Sequence, residues 1–180
     1  MTTRCSWATK SPELMVYHDT QWGKPTREVQ TLFRALCLEI LQAGLAFQVI
    51  LKHEDGMDQL LHRFSINYLA KLDLDELNFL CRDKRMIRNR RKIQAIIDNA
   101  KIVSQNPGYF VDLTWAPVHY VQLDHVLVKS LRSEDYQEFV KPFVSAFKEF
   151  GLKRIGPVTV YSYLQAVGVI NDHLVTCDFR

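Results

Sequence analysis

Cys5 and His18 stand near the start of the chain and His173 and Cys177 near its end, and together they form a Cys2His2 set of ligand types. That composition is common in closed tetrahedral zinc sites, where the ion is structural. His173 and Cys177 are four residues apart, so on a helix their side chains would share one face. Cys-x12-His is not a diagnostic spacing, and taken alone either pair also reads as scattered polar positions. If one ion takes all four, it joins the amino terminus to the carboxyl terminus, which requires a body whose ends meet. Cys37 and Cys81 lie in the apolar stretches FRALCLEIL and LNFLCRD and read as small core residues. Four cysteines so placed argue for metal or buried thiols rather than a disulfide framework.

The second local chemistry is in LKRIGPVTVYSYLQAVG, residues 152–168. An apolar residue, Gly156, a proline at the first helical position and an amphipathic run make a tight helix start whose free backbone N–H groups can hold one phosphate. With Lys153 and Arg154 beside it, the turn could clamp a nucleic-acid backbone without reading sequence. A routine helix-to-helix turn fits the same string equally well. A basic cluster at Arg82, Lys84, Arg85, Arg88, Arg90, Arg91 and Lys92 adds weight to a polyanionic partner.

These groups must be positioned by helices. The chain has 180 residues, 47% of them hydrophobic and 24% charged, enough for one domain over 1–180 with a proper core. The net charge of +3 is mild, so a polyanion has to be met by a local patch. No apolar run reaches the roughly 18 residues of a membrane span, and MTTRCSWATK lacks the apolar centre of a secretory signal. The expected location is cytoplasmic. Helical spacing predicts helices over 28–44, from Leu45 onward, 66–71, 73–81 and 86–104, the fourth opening on the acidic capping pair Asp73 and Glu76. NPGYF at 106–110 reads as a break, and 110–133 as irregular with short helical pieces. A helix over 133–150 would be divided by Pro142, another covers 157–167, and no strand is convincing. The fold class is therefore all-α.

Several strings are more specific. RCSWA, YHDTQWGKP, LEILQAGLAFQVILKHE, MIRNRRKIQAIIDNA and YSYLQAVGVINDHLVTC together resemble, in the same order and over about residues 4–177, the 3-methyladenine DNA glycosylase I family. The resemblance implies a helix-hairpin-helix DNA glycosylase fold, with one structural zinc ion bound by Cys5, His18, His173 and Cys177. It implies a monofunctional hydrolase that cuts the N-glycosidic bond of 3-methyladenine and leaves the strand intact. The partner would be double-stranded DNA containing alkylated bases, met by a monomer, with no membrane involved. Carried over by position, Glu39 would be the catalytic carboxylate that meets the base. Trp7, Tyr17, Trp22 and Phe47 would supply the aromatic pocket or its surroundings. Gly44 and Leu45 would brace the duplex, and Lys153, Arg154 and Gly156 would contact its backbone. Glu39 also stands out unaided, because Leu38, Ile40 and Leu41 surround it with apolar residues, and a carboxylate so embedded is paired or functional.

The chain also departs from the family pattern. Phe47 replaces the usual Trp, Leu14 an expected aromatic, and Arg85 a Gly, while Ile40 and Leu41 stand where smaller or polar residues are usual and could narrow the pocket. A non-catalytic binder of DNA or alkylated bases on the same scaffold is the alternative these changes leave open. Asp172 lies where the wider superfamily carries a catalytic Asp. Beside His173, it is expected instead to fix the metal-bound ring.

Overall fold

A computed structural model describes residues 2–180 and is mostly helical. Met1, the first residue of the amino-terminal string, lies outside the described residues. Among the described residues nine α-helices follow in order: α1 (Pro12–Thr20), α2 (Val29–Gln42), α3 (Phe47–Leu60), α4 (Ile66–Leu69), α5 (Leu74–Leu80), α6 (Arg90–Gln105), α7 (Pro107–Trp115), α8 (Ser133–Glu149) and α9 (Pro157–Ala166). Single 3-10 turns precede α1 at Ala8–Lys10 and follow α7 at Ala116–Val118. None of the described helices is long and apolar enough to cross a membrane.

Helix α2 is the axis of the molecule. Leu32, Phe33, Leu36, Cys37, Ile40 and Leu41 are all fully buried, so the helix is apolar on most of its circumference and packs against α3, α6, α7 and α9. Its first turn is capped by the Glu28 carboxylate, which accepts from the amides of Gln30 and Thr31. The Asp73–Glu76 pair closes as a full capping box, with the Asp73 carboxylate accepting from the Glu76 amide at 3.0 Å and the Glu76 carboxylate from the Asp73 amide at 2.8 Å. Cys37 is buried as expected, whereas Cys81 is only half-buried at the core edge.

Three sequence expectations need correction. The break falls at Asn106 alone, and residues 107–115 are helix α7, because Asn106 accepts from the Tyr109 amide at 3.2 Å and Pro107 takes the first position, where its missing N–H costs nothing. Pro142 does not divide α8. It is exposed, as is Glu138, the residue whose carbonyl it orphans, so water can satisfy that oxygen. There is also a two-stranded parallel sheet, β1 (Leu123–Asp124) with β2 (Ile170–Asn171), extended by a bridge from Leu127 to Leu174. It fastens the 120–128 loop to the carboxyl-terminal segment.

Gly168 ends α9 at φ +70°, and a Cβ there would lie 2.4 Å from the backbone nitrogen of Pro25. Both the left-handed backbone and the close approach demand glycine. Gly168→Ala should therefore cost more than ~3 kcal/mol, or about 10 °C in Tm at 2–4 °C per kcal/mol for a chain of this size. A thermal melt within about 2 °C of wild type would contradict this packing.

Candidate active site and metal centre

The two ends of the chain are laced together. The Thr3 amide donates to the Asp178 carboxylate at 2.7 Å, the Asp178 amide to the Thr3 carbonyl at 3.0 Å, and the Leu174 amide to Cys5 Sγ at 3.4 Å. Around this lacing Cys5, His18, His173 and Cys177 are all buried, with ligand atoms within 4.8 Å of one another. Three Sγ–nitrogen edges measure 3.8 Å (Cys5 to His173 Nδ1), 3.5 Å (Cys177 to His18 Nε2) and 3.4 Å (Cys177 to His173 Nδ1). A tetrahedral ion with ordinary metal–sulfur and metal–nitrogen bonds needs an edge of about 3.6 Å, so the four donors are spaced to hold a metal ion.

The electrostatics agree with that spacing. Burial pushes the Cys5 thiol up to about 11 and the His173 imidazolium down to about 4. Without a cation the cluster is thus a thiol facing a neutral imidazole, and a metal would displace the thiol proton. His18 turns Nδ1 toward the Asp19 carboxylate at 2.8 Å, which leaves Nε2 for the cluster, and Arg4 holds Asp19 from the other side at 2.7 Å. Gly23 permits His173 to sit where it does, since a Cβ at Gly23 would come within 2.9 Å of Nε2. Asp172 is not the partner of that ring. Its carboxylate accepts from Tyr161 and from Gln165 Nε2 at 2.7 Å, and it faces His125 Nδ1 at 2.6 Å.

Against this cluster lies a cleft of about 480 Å³. Trp7, Leu14, Tyr17, Trp22, Glu39 and Phe47 line one side of it. The aromatic wall is continuous with the Cys–His cluster: Trp7 stands 5.1 Å from Trp22 and 5.2 Å from His18, and Trp22 stands 4.6 Å from His173. Phe47 tilts against Tyr17 at 4.8 Å, and burial raises the Tyr17 phenol well above its usual value. Glu39 projects from the last turn of α2 with only 5% of its surface exposed. Its Oε2 finds no hydrogen-bond partner among the described residues, and burial pushes the carboxyl up to about 8. Arg34, a turn earlier, is engaged by Glu54 at 2.6 Å and Asp58 at 2.9 Å, so its charge is spent elsewhere. Ile40 and Leu41 do not narrow this cleft. Both are fully buried in the core and neither lines it.

The rest of the lining comes largely from Leu127, Ser130, Leu131, Tyr136, Tyr161 and Gln165, with Asp172 among them. Asp172 apart, the sequence reading missed these. Tyr161 and Gln165 were within reach, being four apart on α9 in YSYLQAVG, but Leu127 to Leu131 belong to the stretch read as irregular. Tyr136 and Tyr161 stack with centroids 3.7 Å apart, which stiffens this wall. Lys10, exposed at the rim, was also missed.

Gly44 and Leu45 make an exposed turn between Gln42 and Phe47, two residues that line the cleft, with Gly44 at φ +80° and Leu45 39% exposed. Lys153, Arg154 and Gly156 are not in the cleft. Arg154 adopts φ +58° in the turn between α8 and α9, and Gly156 is the N-cap of α9. Lys153 and Arg154 line a separate basic groove with Arg90 and Arg91 at the start of α6. Arg85 fits its turn because the Asp83 carboxylate accepts from its amide at 2.8 Å and from its guanidinium.

The comparisons agree with this geometry. A sequence model described as methyladenine glycosylase matches residues 7–180. The chain is 33% identical to DNA-3-methyladenine glycosylase 1 of Escherichia coli, over 97% of this chain and 95% of that one. It is 34% identical to the DNA-3-methyladenine glycosylase of Haemophilus influenzae, over 98% and 97%. A crystal structure of 3-methyladenine DNA glycosylase I superposes with a TM-score of 0.86 at 31% identity, covering 98% of each chain. The Staphylococcus aureus enzyme, solved to show the structural basis of 3-methyladenine recognition, superposes at 0.84 with 28% identity, over 98% and 95%. The chain belongs to the methyladenine glycosylase family.

Proposed function

We propose that this protein removes 3-methyladenine from alkylated double-stranded DNA by hydrolysing the N-glycosidic bond, and that Glu39 is the carboxylate that meets the extruded base. The observation that carries this reading is a buried, unpartnered carboxylate in an aromatic-walled cleft. Methylation at N3 gives the purine a positive charge, so it is already a good leaving group and needs little protonation. What the site must supply is extraction from the stack, stacking faces for a cationic ring and an acceptor for its amino edge. Trp7, Tyr17 and Phe47 offer the faces and Glu39 the acceptor, whose ionisation the cationic base would favour. Unmethylated adenine brings no charge to offset that ionisation, so the same carboxylate discriminates against it. Outside the cleft, Leu45 would press into the duplex where the nucleotide leaves, while Lys153, Arg154 and the Gly156 amide region hold the backbone.

The metal would be zinc, held by Cys5, His18, His173 and Cys177. Four protein ligands complete a tetrahedron and leave no position for water, so the ion would anchor the termini rather than act on substrate. A non-catalytic binder is not favoured, since two of the departures that suggested it, Ile40 and Leu41, do not reach the cleft. The test is chromatography of free base released from methylated duplex DNA by the purified protein. Release of 3-methyladenine with the strand left intact is expected. No release from a folded, metal-replete protein would refute the reading, and strand cleavage would make Lys10, rather than water, the nucleophile to examine.

A further inference from the structure

Helix α6 carries two buried polar side chains that face away from the cleft, and each grips a different loop. Lys92 is only 4% exposed, yet its Nζ donates to the carbonyls of Leu41 and Ala43, both at 2.6 Å. Those carbonyls end α2 immediately before the Gly44–Leu45 turn. A buried ammonium is costly unless compensated, and here the compensation is the negative end of the α2 dipole. Seven residues later, two turns along the same helix, Asn99 is fully buried. Its Oδ1 accepts from the Lys153 amide at 2.7 Å and its Nδ2 donates to the Lys153 carbonyl at 3.2 Å, so one side chain satisfies both backbone groups of the hairpin's first basic residue. Apolar side chains would fill both places without any desolvation cost. What they could not do is fix the two loops by directional bonds to their backbones.

We propose that Lys92 and Asn99 are positioning residues of the DNA-binding surface: they pin the Gly44–Leu45 turn and the α8–α9 hairpin to one helix, so that the wedge and the phosphate clamp meet a duplex in fixed register. The inference rests on the DNA-contacting roles proposed above for those two loops. The two anchor points lie about 10 Å apart along α6, at 1.5 Å per residue, and a helix bends little over two turns. Loss of either brace frees one loop, whereas the cleft keeps its lining, because neither Lys92 nor Asn99 touches it and Phe47, beyond the turn, is held in α3 by its own packing on Tyr17.

The experiment is a double-mutant cycle on binding to a duplex carrying a tetrahydrofuran abasic site, with free 3-methyladenine as a separate probe of the cleft. Leu45→Ala should weaken duplex binding about tenfold in the wild-type background. Lys92→Met should weaken it by a similar factor while changing affinity for free 3-methyladenine less than twofold. In the Lys92→Met background, Leu45→Ala should then add less than twofold, since a wedge no longer held in register has little left to lose. Additive losses, or unchanged duplex binding by Lys92→Met, would overturn the proposal. A general weakening of the fold would instead lower both affinities and leave the cycle additive, which also counts against it. If Lys92→Met does not fold, the parallel cycle of Asn99→Ala with Arg154→Ala decides in the same way. Failure of the wild-type protein to bind 3-methyladenine at all would refute the glycosylase reading and is seen separately from the cycle.

Discussion

Glu39→Gln is expected to lower kcat/KM for 3-methyladenine release by about 100-fold and, at the same time, to make the protein more stable. The loss follows from removing a charge-assisted acceptor that meets a cationic base in a dry site, an interaction worth ~1.5–3 kcal/mol. The gain follows from proton linkage. The folded carboxyl stands at about 8 against an ordinary 4.5, so between those values the fold holds a proton that the unfolded chain gives up. The stability tied to this group is full below pH 4.5 and is lost as pH rises to about 8, at ~1.4 kcal/mol per pH unit across the window. Glutamine carries no such liability. Paired melts should show Glu39→Gln gaining on wild type by about 10–20 °C at pH 8 and by little at pH 5. Wild-type kcat/KM should climb with pH toward 8, as the free protein ionises Glu39, and the variant should lack that limb. An unchanged kcat/KM in Glu39→Gln, or a melt difference that does not grow with pH, would remove Glu39 from the assigned role.

Loss of the proposed metal is the second large effect expected. Cys177→Ala, or dialysis of wild type against a strong chelator, should lower Tm by about 10 °C or more and abolish stoichiometric zinc together. A structural Cys2His2 site contributes its binding free energy to folding, and the chelated protein keeps a buried Cys5 thiol beside two imidazoles with nothing to unite them. Because Trp22 packs on His173 and Trp7 on His18, the loss should also shift tryptophan emission and weaken binding of free 3-methyladenine. Full retention of Tm in a protein shown to be metal-free by elemental analysis would refute a stabilising ion.

The helices that position the site were legible because each carries its own local signal. Helix α2 has an unbroken apolar stripe, α5 a capping pair, α6 a clean amphipathic pattern and α9 a proline at its start. Where the sequence misled, context outweighed a local rule: Pro107 begins a helix because Asn106 caps it, and Pro142 is tolerated because its face is wet. The short β1–β2 pairing was invisible, since two-residue strands have no periodicity to read. The same limit explains the cleft. Its α2 wall could be anticipated from Glu39 among leucines and isoleucine, whereas Leu127, Ser130 and Leu131 reach it from a loop whose course depends on bonds to distant residues, such as the Val175 amide to the Leu127 carbonyl at 2.8 Å.

With Cys5 and Cys177 drawn to one ion, the polypeptide becomes topologically a ring of about 170 residues. On the chain-entropy account, a closure of that length would restrict the unfolded ensemble by about 5 kcal/mol. Cutting such a ring once elsewhere need not separate its halves. The covalent peptide path and the path through the metal are interchangeable routes around one circle, so a circularly permuted chain, opened in an exposed loop and joined by a short linker across Thr3 and Asp178, would run the same circuit with a different beginning.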